Sequence, residues 1–265
     1  MPFHRTSTGT PPRRDIARGR YFVSSVRFRG EGGAGYPFSI PAVRHLREVR
    51  ELFITAPVTF FIGENGTGKS TLLEAVAVAM GLNPEGGSRD HCFSTEETHS
   101  CLHDHIAVVR EAYPTDTFFL RAECFYNTST YIARSDPGAV NYHVMSHGES
   151  FLSIVRDRLR GNGLYLLDEP EAALSPQRQM SLLLIMDQLV SLNSQFIVCT
   201  HSPILMAFPG AVTLEFSDSG IRPVNYRETD HFMITKQFMT RPDHMLRMLF
   251  ASGSGGDGIG NNPVQ

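Results

Sequence analysis

The chain has 265 residues, 41% of them hydrophobic and 19% charged, enough to bury a full core in one large domain or two small ones. No apolar run approaches the ~18 residues needed to span a bilayer, and the opening MPFHRTSTGTPPRRD is polar and basic where a secretion signal would be apolar. Membrane insertion and export are therefore not expected. Four irregularly spaced cysteines (Cys92, Cys101, Cys124, Cys199) supply no disulfide framework, which suits a cytoplasmic location.

The net charge of 24 − 27 = −3 conceals a segregation: residues 1–50 carry ten Arg against three acids (+7), leaving 14 − 24 = −10 for the remainder. A basic segment of this kind is either a solvated arm or a surface for phosphate or nucleic acid. Of the 24 basic residues 22 are Arg, and only Lys69 and Lys236 are Lys. Where Lys does occur, its compact ammonium is informative.

Residues 1–19, rich in Thr, Pro and Arg, and 251–265, rich in Gly, Ser and Asn, read as flexible tails around a single domain over 20–250. Between the tails, short apolar runs bounded by turn residues predict buried strands at 58–62, 117–122, 164–167, 195–199 and 212–216. Helix-period segments at 69–80, 149–160 and 176–192 lie among them, and two more at 230–239 and 241–250 close the ordered part. The stretch 83–116 reads as a polar surface excursion with a helical pattern near 101–111. No solenoid repeat and no sustained heptad is present. The alternation predicts an α/β fold, a layered sheet with flanking helices.

The segment Gly63-Glu64-Asn65-Gly66-Thr67-Gly68-Lys69-Ser70-Thr71 stands directly after the strand VTFFI and directly before the apolar-periodic LLEAVAVAM. Strand, glycine loop and helix in that order make a phosphate cradle. The glycines admit positive φ, backbone N–H groups face the anion, and the helix start adds partial positive charge. Lys69 would reach the β and γ phosphates and Ser70 would offer its hydroxyl to Mg²⁺. A chance match to Gly-x4-Gly-Lys-Ser/Thr arises in about one chain in a hundred of this length from average residue usage, before the strand and helix are required.

The run GNGLYLLDEPEAALSP puts Asp168 and Glu169 at the C-terminal end of an apolar strand, the edge where open α/β sheets hold ligands. Taken alone, Asp-Glu-Pro is also an ordinary polar stop after a strand. Beside a phosphate loop, Asp168 is read as a metal ligand and Glu169 as the general base for water, the two pointing apart as neighbours on an extended chain do. His201, one residue past the strand QFIVC and Thr200, occupies the same kind of edge and could meet the γ-phosphate and attacking water.

Four blocks in this order resemble the ATP-binding cassette superfamily over about residues 20–216, and more closely its soluble SMC-, RecF- and OLD-like branch. They are the P-loop Gly63–Thr71, a signature block Ser146-His147-Gly148-Glu149-Ser150, the Walker B block Leu164–Glu169 and the switch His201. The resemblance implies a P-loop NTPase fold with a small helical signature subdomain, and Mg²⁺ and ATP as cofactors. It also implies a head-to-tail homodimer in which Ser146, Gly148 and Glu149 of one subunit close over ATP on the other. Ser146 and Glu149 would equally serve as a capping box for the helix that follows. The sequence departs from the transporter pattern in having His147 and Glu149 in the signature and no Asp at the end of Ala172-Ala173-Leu174-Ser175. Glu123 stands where a Q-loop Gln is usual and is read as a metal- or water-contacting residue. Arg27 and Arg29, in a strand similar to the first strand of SMC-type heads, are either phosphate or ribose contacts or solvated residues of an edge strand.

His91, Cys92, His99, Cys101, His103 and His105 crowd the polar excursion, but without the paired spacing of a structural zinc site. The sequence therefore predicts an ATPase that drives a conformational change in an unidentified protein partner. An ATP-gated DNA-binding, repair or defence clamp is the second reading, and the ATPase subunit of a transporter the third.

Overall fold

The computed structural model describes residues 21–87, 100–123 and 147–253. Their elements run β1 (Ser25–Phe28), α1 (Pro41–Val49), β2 (Glu51–Phe53), β3 (Val58–Gly63), α2 (Lys69–Ala79), β4 (Ile106–Val109), β5 (Asp116–Arg121), α3 (His147–Arg158), β6 (Gly163–Asp168), α4 (Pro176–Ser191), β7 (Gln195–Cys199), α5 (Pro203–Met206), β8 (Val212–Ser217) and β9 (Gly220–Val224). Two helices follow, α6 (Asp230–Thr240) and α7 (Pro242–Gly253).

Six strands form the main sheet in the order β5-β6-β7-β3-β8-β9, parallel except for the antiparallel β8–β9 hairpin. Every residue of β3, β6 and β7 is buried, as expected of strands covered on both faces. A second, antiparallel sheet runs β2-β1-β4. Helix α2 joins the two layers: Leu72, Leu73 and Val76 share one core with Val26 of β1, Ile106 of β4 and Phe61 and Ile197 of the main sheet. Burying each of those leucines contributes roughly 2 kcal/mol by transfer, so the helix that starts at Lys69 is held from both sides. Helix α4 begins on local chemistry, with Ser175 accepting from the Arg178 amide and Pro176 in the first turn.

The stretch 101–111 is not an α-helix. A 3₁₀ turn at Cys101–His105 gives way to β4, whose Ile106-Ala107-Val108-Val109 pairs with β1 in the register Ser25↔Val109 to Phe28↔Ile106. Tertiary pairing of this β-branched run overrides its helical spacing. Strand β1 is the centre of its sheet, so the edge-strand reading of Arg27 and Arg29 is corrected. Helix α1 and strands β2 and β9 were not singled out in the sequence; they span only nine, three and five residues, so their apolar periods are short.

Two compact units divide at Val224–Asn225, inside the stretch read as one domain. The second contains α6, capped by Thr229 whose hydroxyl accepts from the Phe232 amide, and α7, which continues through Gly253.

Candidate nucleotide site

Three neighbouring parallel strands, β6, β7 and β3, end at one edge of the main sheet. Asp168 is registered with Cys199, and Cys199 with Phe61, so β6 and β7 end level while β3 runs two residues further to Gly63. The segments leaving these strands carry the carboxylates, His201 and the glycine loop.

The loop is shaped by backbone demands. Gly63 has φ 130° and pairs with Phe216, whose carbonyl oxygen occupies the space a Cβ would need. Gly68 has φ 102°, and a Cβ there would overlap the Ile40 side chain. Both positions therefore exclude any residue with a side chain. Thr67 closes the loop by donating to the Glu64 carbonyl at 2.7 Å. The amides of Lys69, Ser70 and Thr71, at the start of α2, meet no acceptor among the described residues, the condition of a helix start ready for an anion.

Lys69 is 4% exposed, and its ammonium donates to the carbonyls of Gly63 at 2.7 Å and Glu64 at 2.9 Å. It thus lies across the loop. Burial pushes its pKa down, opposed by nearby acidic groups that include Glu169, Asp168 and Glu64.

Ser70 donates its hydroxyl to Asp168 Oδ1 at 2.9 Å, bridging the phosphate loop and the end of β6. The other carboxylate oxygen of Asp168 lies 3.4 Å from Arg121 Nε at the end of β5, and Arg121 also pairs with Glu74 of α2 at 2.8 Å. Burial pushes the Asp168 carboxyl up, while Arg121 and the Ser70 hydroxyl pull it back. A hydroxyl and a carboxylate converging beside the phosphate loop form a hard oxygen donor set, which fits Mg²⁺.

At Glu169 the backbone turns left-handed (φ 50°, ψ 50°), and its amide donates to the Cys199 carbonyl at 3.0 Å. The divergence of the two carboxylates therefore comes from this turn and not from strand alternation. Asp168 is buried, whereas the Glu169 side chain is 37% exposed and reaches His201, with Nε2 to Oε1 at 3.6 Å. Two residues on, Glu171 accepts from the Thr200 hydroxyl at 2.8 Å and from the His201 amide at 2.5 Å. Its carboxyl is pushed up by burial, opposed by those hydrogen bonds.

The structure thus brings the P-loop, Asp168, Glu169 and His201 to one edge. Glu123 is exposed and accepts no hydrogen bond among the described residues. Arg27 pairs with Glu51 at 2.8 Å on the other sheet, and Arg29 is exposed. Ser146 lies outside the described residues. Gly148 and Glu149 sit in the first turn of α3: Glu149 pairs with Arg178 at 3.0 Å, and a Cβ on Gly148 would crowd Arg178 and the Ala173 carbonyl. His91, Cys92 and His99 also lie outside the described residues, among which no cluster of three metal-ligating side chains occurs. Sequence reasoning missed Arg121, Glu74 and Glu171. A charged residue at the end of an apolar strand, and a second acid two residues past Asp-Glu, were the available signals.

Residues 93–207 match the family described as "AAA domain, putative AbiEii toxin, Type IV TA system", and residues 42–123 match a second family described as "AAA domain". No curated protein matches the chain. Among solved structures, "An inward-facing conformation of a putative metal-chelate type ABC transporter" is 15% identical, with a TM-score of 0.46, over 82% of this chain and 88% of that one. The SMC head domain from Thermotoga maritima is 14% identical, with a TM-score of 0.42, over 77% of this chain and 99% of that one. The cbiO1 subunit of the Clostridium perfringens ABC transporter complex cbiONQ is 13% identical, with a TM-score of 0.42, over 86% of this chain and 99% of that one. Among the described residues no helix is long and apolar enough to cross a membrane. The two family matches, both to models described as AAA domains, fall on the glycine loop (42–123) and on the strand-end carboxylates and histidine (93–207).

Proposed function

We propose that the protein binds Mg·ATP on the loop Gly63–Thr71, hydrolyses it with water, and closes as a head-to-tail homodimer over two nucleotides to move a partner. The observation that carries this reading is the pairing of two contacts at one sheet edge, Ser70 with Asp168 and His201 with Glu169. The first offers oxygen donors beside the phosphate loop, and the second sets an open carboxylate against an imidazole.

In this reading the free amides at the start of α2 bind phosphate oxygens, and Lys69 leaves its carbonyl partners for the β and γ phosphates. Ser70 and Asp168 hold Mg²⁺, which when bound neutralises charge on the phosphates. Glu169 accepts a proton from water as the water oxygen bonds to the γ-phosphorus. The bond from that phosphorus to the β–γ bridging oxygen breaks, and ADP leaves with the electron pair, its charge met by Lys69. His201 orients the water and the γ-phosphate. The signature residues Ser146, Gly148 and Glu149 are the ones that would close over the partner's nucleotide in that dimer. The remaining site residues, Glu64, Asn65 and Thr67, shape the loop.

Glu169→Gln is the test. It should lower turnover by about 10²-fold or more, since proton acceptance is lost, and gel filtration with Mg·ATP should show a dimer that Mg·ADP does not support. Turnover equal to wild type, together with a monomer under ATP, overturns the reading.

A second reading, in which hydrolysis resets a defence or DNA clamp, is favoured by one observation, the toxin–antitoxin description of the family matched over residues 93–207. ATP-dependent DNA binding that weakens with salt would support it, and hydrolysis and affinity both indifferent to DNA would count against it.

A further inference from the structure

Two carboxylates of one short turn grip His201 from different sides. Glu169 faces the ring at 3.6 Å, and Glu171, within the 3₁₀ turn Pro170–Ala173, holds the backbone that carries the ring. Both oxygens of Glu171 are used: Oε1 accepts from the His201 amide at 2.5 Å and Oε2 from the Thr200 hydroxyl at 2.8 Å. The Thr200 hydroxyl in turn accepts from the Ser202 amide at 3.0 Å. Ser202 donates to Gln179 at 2.5 Å, and Gln179 donates to the Leu174 carbonyl at 3.0 Å. Thr200, Ser202 and Gln179 are all buried, so the segment Thr200–Ser202 is held to the turn after Asp168-Glu169 by a closed polar network.

A network this buried costs desolvation, and an apolar contact would fix a mere loop more cheaply. It does what an apolar contact cannot, setting direction at the peptide from which a partly open imidazole projects. We infer that Glu171 is a positioning residue, which fixes His201 against Glu169 through the Thr200–His201 backbone. The inference rests on the reading of His201 given above, and it adds the element that sets the ring's place.

The two variants of Glu171 differ in a useful way. Ala removes both acceptors. Gln keeps the volume and can turn its carbonyl to the His201 amide and its NH₂ to the Thr200 oxygen, so it restores most of the clamp. The measurement is ¹⁵N-imidazole NMR of the nucleotide-free full chain, with the His201 signals identified by their loss in His201→Ala. In wild type, Glu169→Gln should move the His201 signals. In Glu171→Ala the signals should already be displaced and should no longer respond to Glu169→Gln, while Glu171→Gln should retain the response. Parallel kinetics should show kcat about 10- to 100-fold lower in Glu171→Ala, the scale of a 1 Å misplacement, with ATP affinity within about 3-fold of wild type because the phosphate loop is untouched.

His201 signals in both Glu171 variants that match wild type and still respond to Glu169→Gln overturn the inference, whatever the ATPase result. A wild type that shows the NMR coupling but hydrolyses no ATP overturns the proposed function and leaves the positioning role standing. If Glu171→Ala does not fold, Thr200→Val, which removes one of the two donors, replaces it with the same expected loss of coupling.

Discussion

The Ser70 hydroxyl donates to Asp168 Oδ1 at 2.9 Å, so two residues 98 positions apart, on the first turn of α2 and the last position of β6, share a hydrogen bond across the end of β7. Ser70→Ala removes an oxygen donor and leaves the loop backbone intact. ATP affinity measured by calorimetry with Mg²⁺ should fall by about 10-fold or more, the scale seen when a metal site loses a supporting group. Affinity in EDTA should change little. Equal losses with and without Mg²⁺ would show that Ser70 acts on the loop and not on the metal.

Arg121 stands between two carboxylates, Asp168 at 3.4 Å and Glu74 at 2.8 Å, with only 19% of its side chain exposed. Arg121→Ala leaves both acids without this cation. The nucleotide-free protein should lose about 2 kcal/mol, below the 3–5 kcal/mol of a fully buried pair because solvent reaches the site. Saturating Mg²⁺ should recover part of the loss by supplying charge to Asp168. Thermal melts of wild type and variant, with and without Mg²⁺, measure both effects, and a variant as stable as wild type in EDTA would remove Arg121 from the site.

Gly63 couples the phosphate loop to the sheet. Its φ of 130° and the Phe216 carbonyl that fills its Cβ position mean that Gly63→Ala must move backbone on β3 or β8. We expect a loss of roughly 3 kcal/mol, combining backbone strain with overpacking. Gly66→Ala, where no atom lies within 4 Å of a Cβ, should cost less. Denaturant melts compare the two, and equal losses would contradict the β3–β8 register.

That contrast also marks what the sequence could and could not disclose. The glycine loop was legible because phosphate chemistry dictates its spacing, and the strands β3, β6 and β7 because burial on both faces makes them continuous apolar runs. Strand β4 was not, since Ile106–Val109 becomes a strand only by pairing with β1, a partner some 80 residues away in the chain. The divergence of Asp168 and Glu169 was foreseen for the wrong reason: a left-handed residue at Glu169, not strand alternation, separates them. Arg121 and Glu171 escaped notice because their importance lies in what they touch, and neither Glu74 nor Thr200 is near them in sequence.

The asymmetry around Asp168 yields a pH prediction. Its carboxyl is pushed up by burial even with Arg121 and Ser70 opposing, so the folded state binds this proton more readily than the unfolded state does. The contribution of Asp168 to stability is therefore fully present below the ordinary carboxylate pKa of about 3.9 and is lost as pH rises through the raised folded value. Asp168→Asn removes that slope while keeping the Arg121–Glu74 pair, the reverse of Arg121→Ala, which strands two acids. In EDTA, the Asn variant should melt higher than wild type at pH 7.5. The gap should shrink as pH falls through the raised folded value, where wild type regains the proton. A variant less stable than wild type at pH 7.5 and equal to it at low pH would mean that Arg121 and Ser70 outweigh burial, so that the carboxyl is held down in the folded state.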